Sequence, residues 1–346
     1  MGTVARAFEM RVEEIVGARH AVAVGSGSAA LHLALAALEL EPDDEVIVPS
    51  MTFVSCPQAV AAVGAQPVFC DVSEDTVAID TDHVERLVTP RTRAVMPVHY
   101  AGFPCGLDDL ANLARAHGFA IVEDAAHAFG SAYRDRMIGA VGDLTCFSFD
   151  PVKNITCGEG GAVTTDDDEL ARKVRLWRNL GVARDSWARR GERRPWYYEA
   201  STTGLRSHLP DVNAAIGLAQ LERWEETRAR KRELLRRYLG GLADVDGVVP
   251  IAGDVDTAFP FLCAVRVLDG RRDGLLDHLA GDGIQAWVHF VPNHLHPAFA
   301  EAGRRTMLPV TERLYGELLT LPLYADLTDD DVDRVVASVR SFLEAA

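Results

Sequence analysis

The chain has 346 residues, of which 48% are hydrophobic and 25% charged, and a formal net charge of −16. That length suits a large domain, 1–226, followed by a smaller one, 227–346. The acidic balance argues against non-specific binding to nucleic acid or to anionic membranes. No apolar run approaches the roughly 20 residues of a membrane span, and Met1–Arg6 lacks a signal-peptide core. The cysteines at 56, 70, 105, 146, 157 and 263 form no Cys-x-x-Cys pair and sit in or beside apolar runs. That pattern predicts buried reduced thiols in a cytoplasmic protein, with no metal site.

His20–Val24 reads as a strand, Gly25-Ser26-Gly27-Ser28 as a turn, and Ala29–Leu40 as a helix apolar on nearly every side, hence buried. Glu45–Pro49 and Pro67–Val72 are the next strands, with a helix over Pro57–Val63 between them. Thr81–Leu87 is helical, Ala94–His99 is a strand, and Leu107–Gly118 is a helix. Phe119–Asp124 is an apolar run ending in carboxylates, and strands follow around Thr145–Phe149 and Gly161–Thr165. Such alternation predicts an α/β fold, a mostly parallel central sheet flanked by helices. Ligands gather at the carboxyl ends of its strands, where Ser28, Phe53, His99, Asp124 and Ser148 fall. A helix over Asp168–Trp177 leads to an irregular, arginine-rich excursion through Arg189–Pro195. Asp211–Tyr238 reads as one long charged helix with Asp211 as its N-cap, joining the two domains. The rest is a small α+β tail, with strands over Phe259–Val267 and Gln285–Phe290 and helices over Arg272–Asp282, Glu312–Leu319 and Asp329–Ala345.

One lysine is set apart by its surroundings. Lys153 follows Phe147-Ser148-Phe149-Asp150-Pro151-Val152 and precedes the turn Gly158-Glu159-Gly160-Gly161. Glycine clears the approach of an aldehyde, and apolar neighbours disfavour the ammonium, as a Schiff-base lysine requires. By spacing alone Lys153 is more readily a solvated surface lysine, and Asp124 as readily a helix cap. Together they suggest pyridoxal phosphate chemistry, in which a lysine holds the aldehyde and an acid keeps the pyridine nitrogen protonated. The turn at Gly27, Ser28 and Ala29 opens a helix whose free N–H groups suit a phosphate, and Ser148 can add a hydroxyl. Phe53 can stack on a planar ring or belong to the core. His127 can contact the ring or be a satisfied structural histidine.

Ser26–Leu31, Pro49–Val54, Val122–His127 and Phe147–Gly161 resemble the DegT/DnrJ/EryC1/StrS family of pyridoxal-phosphate-dependent aminotransferases, which act on nucleotide-linked keto-sugars. The resemblance runs from about Phe8 to the C-terminus. It implies a fold-type-I homodimer with shared active sites. It places Lys153 as the Schiff-base lysine and proton shuttle, and Asp124 as the pyridinium partner. Phe53 stands against the cofactor, Ser28, Ala29 and Ser148 at its phosphate, and His127 near its ring hydroxyl. His289, Phe290 and Asn293 lie in a segment that resembles the family's sugar-side loop. A residue of Gly204–Leu209 is implied to reach the partner's cofactor phosphate. The family commonly has Gly-x-Asn-x-Arg there; this chain has Arg206 and His208 at those positions, and Arg206 can still donate to a phosphate. Asp150 stands where histidine is common, and family members carry further residues ahead of the Phe8 position, a loop near the site among them.

The implied reaction moves an amino group from L-glutamate, through pyridoxamine phosphate, to a nucleoside-diphosphate keto-deoxysugar. Pro97–Gly102 and the Lys153 neighbourhood lean toward amination at C4 over C3. A ketocyclitol (inosose) aminotransferase shares every cofactor residue. A catalytically inactive binding protein of the same fold would have lost Lys153 or Asp124, and sugar 3-dehydratases put histidine at the position of Lys153.

Overall fold

The computed structural model describes residues 2–183, 194, 196–303 and 306–345. The excursion expected at Arg189–Pro195 lies outside them, apart from Arg194. The strands of the first part are β1 (His20–Val24), β2 (Glu45–Pro49), β3 (Gln66–Cys70), β4 (Thr92–Val95) and β5 (Ala120–Asp124). A two-residue hairpin follows, β6 (Ala132–Tyr133) and β7 (Arg136–Met137), and then β8 (Leu144–Ser148) and β9 (Gly161–Thr165). The main sheet has the order β1-β9-β8-β5-β4-β2-β3. Strand β9 alone runs against the other six. The expected mostly parallel sheet is therefore mixed by one strand. That reversal matters locally: Gly161, at the start of β9, pairs with Val24 and Ser148, both at the carboxyl ends of their strands. One edge of the sheet thus collects the turn after β1 and the ends of β5 and β8.

Near-continuous burial along β2, β8 and β9 reflects helices on both faces of the sheet. The helix Gly27–Ala37 is buried from Leu33 to Ala37, as its all-round apolar sequence requires. On the opposite side, the helix Thr3–Val16 packs Phe8 edge-on against Phe149, their centroids 5.2 Å apart. The same helix buries Glu9, whose carboxylate accepts from Arg178 Nη1 at 2.6 Å and from the Ala23 N–H at 3.0 Å. All six cysteines are buried and unpaired. Among the described residues no helix is long and apolar enough to cross a membrane.

The single long helix expected over Asp211–Tyr238 is two, Asp211–Leu221 and Trp224–Leu242. Burial of Trp224, with Arg228 stacked 4.4 Å from its ring, turns the chain there and overrides local propensity. The expected boundary at 226/227 falls in the first turn of the second helix. Asp211 does not cap its own helix, whose N-cap is Pro210. Its carboxylate accepts the Ala5 N–H at 2.9 Å and so caps the N-terminal helix.

The last part holds a three-stranded antiparallel sheet, β10 (Val248–Pro250), β11 (Cys263–Val267) and β12 (Leu318–Leu321), with β11 central. Two expected strands are shorter. Residues 259–262 leave the ladder because the Phe261 N–H pairs with the Ala101 carbonyl and the Phe259 and Pro260 carbonyls accept from Asn154. Residues 285–290 keep a single bridge, Trp287 to Thr320. The helix expected over Glu312–Leu319 spans Pro309–Glu317 instead, and the fully buried run that follows is β12. Asp71, just past β3, ties this part to the main sheet. Its carboxylate accepts from the Thr311 N–H and hydroxyl, both at 2.7 Å, and from the Val310 N–H at 3.0 Å.

Candidate active site

A cavity of about 370 Å³ opens at the sheet edge just described. The helix N-terminus contributes Gly27 and Ser28, the loop after β2 Thr52, Phe53 and Ser55, and β5 and β8 end in it at Asp124 and Ser148. Lys153 and His127 line it, and the last part of the chain closes it with Phe261, His289 and Phe290. A more open hollow of about 650 Å³ adjoins it, sharing Val152, Phe261 and His289, but contains neither Lys153 nor Asp124. The smaller cavity is therefore the one equipped for chemistry.

The turn at Gly27 is built by close approach. A Cβ there would lie 2.7 Å from the Ser148 Cβ, so only glycine lets the helix start against β8. The Ser26 hydroxyl accepts the Ala29 N–H at 3.2 Å, which engages the Ala29 donor that the sequence assigns to a phosphate. The N–H groups of Gly27 and Ser28 have no acceptor within the helix and remain for an anion. Ser28 and Ser55 hydroxyls lie 2.6 Å apart.

Asp124 is held from behind. One carboxylate oxygen accepts the Ala126 N–H at 3.0 Å and the other the Cys56 S–H at 2.9 Å. Its neighbour Glu123 points to the other face of β5. There it accepts from the His99 Nε2–H at 2.8 Å, the Thr145 hydroxyl at 2.8 Å and the Gly142 N–H at 2.7 Å. That buried network fixes the strand from which Asp124 projects.

The Lys153 ammonium is drawn below its ordinary value by burial, against the opposing pull of Asp124 and Asp150. Its Nζ lies 4.4 Å from the centroid of the Phe261 ring. The turn that follows is clamped by Asn213, whose amide donates to the Cys157 and Glu159 carbonyls at 2.8 and 3.1 Å. The His127 ring stacks on Phe261 at 4.3 Å. Burial, reinforced by Lys153, keeps it well below the usual histidine range, and its Nδ1 has no partner. His289 is lowered to about 4, first by burial and then by Lys153. Its Nδ1 meets the Thr320 hydroxyl at 2.9 Å, and its carbonyl accepts the Tyr100 hydroxyl at 2.6 Å. Phe53 is 55% exposed and stands 5.8 Å from Phe290, at the mouth rather than in the core.

Three expected residues lie elsewhere. Asn293 is fully buried and donates to the Ser50 and Thr52 carbonyls, so it supports the loop carrying Phe53 instead of facing the cavity. Ala29 is a capped position, as above. Arg206 is exposed, bridged through its backbone to Asn179, and does not reach this chain's own cavity. Sequence reasoning missed Cys56, Tyr100, Phe261 and Thr320, whose contributions arise only from tertiary contact.

A lysine of lowered proton affinity, a fixed carboxylate, an orphaned histidine nitrogen and free helix N–H groups converge on one cavity. These are the demands of an enzyme that carries an amino group on pyridoxal phosphate, and the donors present fit that cofactor. The chain belongs to the DegT/DnrJ/EryC1/StrS aminotransferase family, whose sequence profile matches residues 1–340. The spore coat polysaccharide biosynthesis protein SpsC of Bacillus subtilis (strain 168) is 39% identical over 348 residues, covering 98% of this chain and 89% of that protein. Among solved structures, DesV of S. venezuelae is 40% identical with a TM-score of 0.91, covering 99% of this chain and 90% of DesV. Spr1654 from Streptococcus pneumoniae in its PMP-form gives a TM-score of 0.92 at 30% identity, covering 100% of this chain and 93% of Spr1654. The protein is a pyridoxal-phosphate-dependent sugar aminotransferase of fold type I.

Proposed function

We propose that this enzyme transfers the amino group of L-glutamate to a nucleoside-diphosphate keto-deoxysugar, with C4 favoured over C3. The observation that carries the reading is Lys153, half-buried and lowered beside Asp124 in a cavity that ends at a free helix N-terminus. Pyridoxal phosphate, when bound, supplies the aldehyde that captures the amine and a ring that accepts the electron pair released with the proton. Lys153 would hold the cofactor and, when free, would move a proton at its Nζ as base and then as acid. Its lowered proton affinity leaves more free amine near neutral pH. Asp124 keeps the pyridine nitrogen protonated, and its bonds from Cys56 and Ala126 hold it in place for that task. The N–H groups of Gly27 and Ser28 and the Ser148 hydroxyl would hold the phosphate, and Phe53 and His127 line the same cavity for the ring and its hydroxyl. His289 and Phe290 face the sugar.

A homodimer completes the site. Val152, Val212 and Ile216 lie exposed beside the lysine turn, at 72, 74 and 43%, and suit burial by a second copy. Arg206 then serves the partner's phosphate. Six reduced thiols and an acidic surface suit work in the cytoplasm. The test is a coupled 2-oxoglutarate assay with a panel of 3-keto and 4-keto sugar nucleotides and inosose. Turnover with a 4-keto sugar nucleotide is expected. Turnover with inosose alone would overturn the acceptor assignment, and wild-type protein with no band near roughly 410–430 nm would overturn the cofactor role.

A further inference from the structure

Lys231 is a buried cation that the mechanism above does not use. Of the 35 lysines and arginines in the chain only three are lysines: Lys153, Lys173 and Lys231. Lys173 pairs with Glu39 near the surface. Lys231, on the helix Trp224–Leu242, is 5% exposed and is drawn down to about 7 by burial alone, with no carboxylate opposing the shift. Burying an ammonium without a counter-charge costs several kcal/mol, so its hydrogen bonds must justify its presence.

Those bonds lead to the active-site lysine. The Lys231 Nζ–H donates to Asn154 Oδ1 at 2.6 Å and to the Phe261 carbonyl at 3.4 Å. Asn154 is the residue after Lys153, and its amide donates to the Phe259 and Pro260 carbonyls at 3.1 and 3.3 Å. The Phe261 ring stands near both ammonium groups, 4.4 Å from Lys153 Nζ and 5.7 Å from Lys231 Nζ. One end of the segment 259–261 therefore grips the loop of Lys153, and Lys231 ties the two together. A guanidinium is larger and never neutral, so arginine, the chain's ordinary cation, does not substitute in such a space.

We propose that Lys231 is a positioning residue for the amino transfer: through Asn154 and Phe261 it holds Lys153 where that lysine links to the cofactor and carries its proton. This rests on the cofactor role proposed for Lys153. The variants are Lys231→Met, which keeps the stem and removes both bonds, and Asn154→Ala, which removes the acceptor of the shorter one. Lys173→Met is the control. The readouts are the pyridoxal phosphate dissociation constant, the visible circular dichroism band, the single-turnover rate with L-glutamate and the Tm of cofactor-free protein.

Both variants are expected to weaken cofactor binding and slow the single turnover about tenfold each, the loss of one charge-assisted hydrogen bond. The visible dichroism should fall with them. The double variant should be no worse than Asn154→Ala alone, because that variant already cuts the tie to Lys231. Cofactor-free Lys231→Met should keep the wild-type Tm or exceed it, since an apolar isostere of an unpaired buried charge does not destabilise. Wild-type cofactor affinity, dichroism and turnover in both variants overturn the proposal. So does a lowered Tm in Lys231→Met with Asn154→Ala behaving as wild type, which leaves Lys231 a structural residue only. If Lys231→Met does not fold, Asn154→Ala decides by the same readouts. A wild type that binds no pyridoxal phosphate overturns the cofactor assignment and this inference with it; a wild type that binds, with variants that match it, overturns the inference alone.

Discussion

Gly161→Ala tests how the phosphate end of the site is built. Gly161 pairs with both Val24 and Ser148, at the point where β9 meets the turn that starts the cavity. A Cβ there would lie 2.4 Å from the Ser26 carbonyl oxygen, 2.6 Å from its carbon and 2.8 Å from the Gly27 nitrogen. The obstacle is backbone, so no rotamer change relieves it, and the turn must retreat by about 1 Å to regain ordinary contact. Overpacking of this kind costs about 1–3 kcal/mol. The strand is held on both sides by its ladder, so the turn yields, and the strain falls on Gly27 and Ser28. About 2.8 kcal/mol corresponds to roughly a hundredfold in a dissociation constant. Titration of cofactor-free protein with pyridoxal phosphate, followed by its visible band, reads this directly. Gly240→Ala is the matched control, because nothing lies within 4 Å of its Cβ and it sits in a helix. It should bind cofactor as wild type and gain up to about 1 kcal/mol of stability. Wild-type cofactor affinity in Gly161→Ala would refute the argument that this turn receives the phosphate.

Asp124→Asn should lower the rate of the glutamate half-reaction by about 10²–10³ while the fold persists, as for other losses of a fixed transition-state charge; stopped-flow absorbance measures it, and a wild-type rate would free Asp124 from its role. Asp71→Ala removes three hydrogen bonds that join β3 to the helix Pro309–Glu317 and should cost about 2–4 kcal/mol in urea unfolding. Between pH 6.5 and about 4 the unfolded chain takes up a proton at His289 that the folded protein refuses, so stability falls as pH falls through that window. His289→Gln should flatten that fall by up to about 3 kcal/mol in stability-versus-pH profiles, and an unchanged slope would contradict a half-buried neutral imidazole.

Much of the cofactor end of the site is legible in sequence because it is local. Asp124, Ser148 and the Gly27 turn each sit at a strand end, with Lys153 in the loop that follows Ser148, and strand ends of a mostly parallel sheet converge whatever lies between them. The strands β1 and β2 are read to the residue for the same reason: short β-branched runs bounded by turn residues leave little choice of register. The errors share a different cause. The break at Trp224, the strand β12 and the loss of ladder at 259–262 depend on which apolar face another element covers, and periodicity is silent on that. The sequence reads Asp211 as the cap of its own helix, and the resemblance puts Asn293 on the sugar side, whereas their partners, Ala5 and Ser50, are distant along the chain. Cys56 and Lys231 carried no pattern at all. Their meaning lies in what they touch, Asp124 and Asn154.

The central claim is that Lys153 holds the cofactor. Borohydride reduction of the pyridoxal-phosphate-loaded protein, followed by peptide mapping, tests it most directly, because the chain offers only two other lysines. A single phosphopyridoxyl group on Lys153, absent from Lys153→Ala, is the predicted result. A modified Lys231 or Lys173 in wild type, or no reducible adduct, would contradict the account.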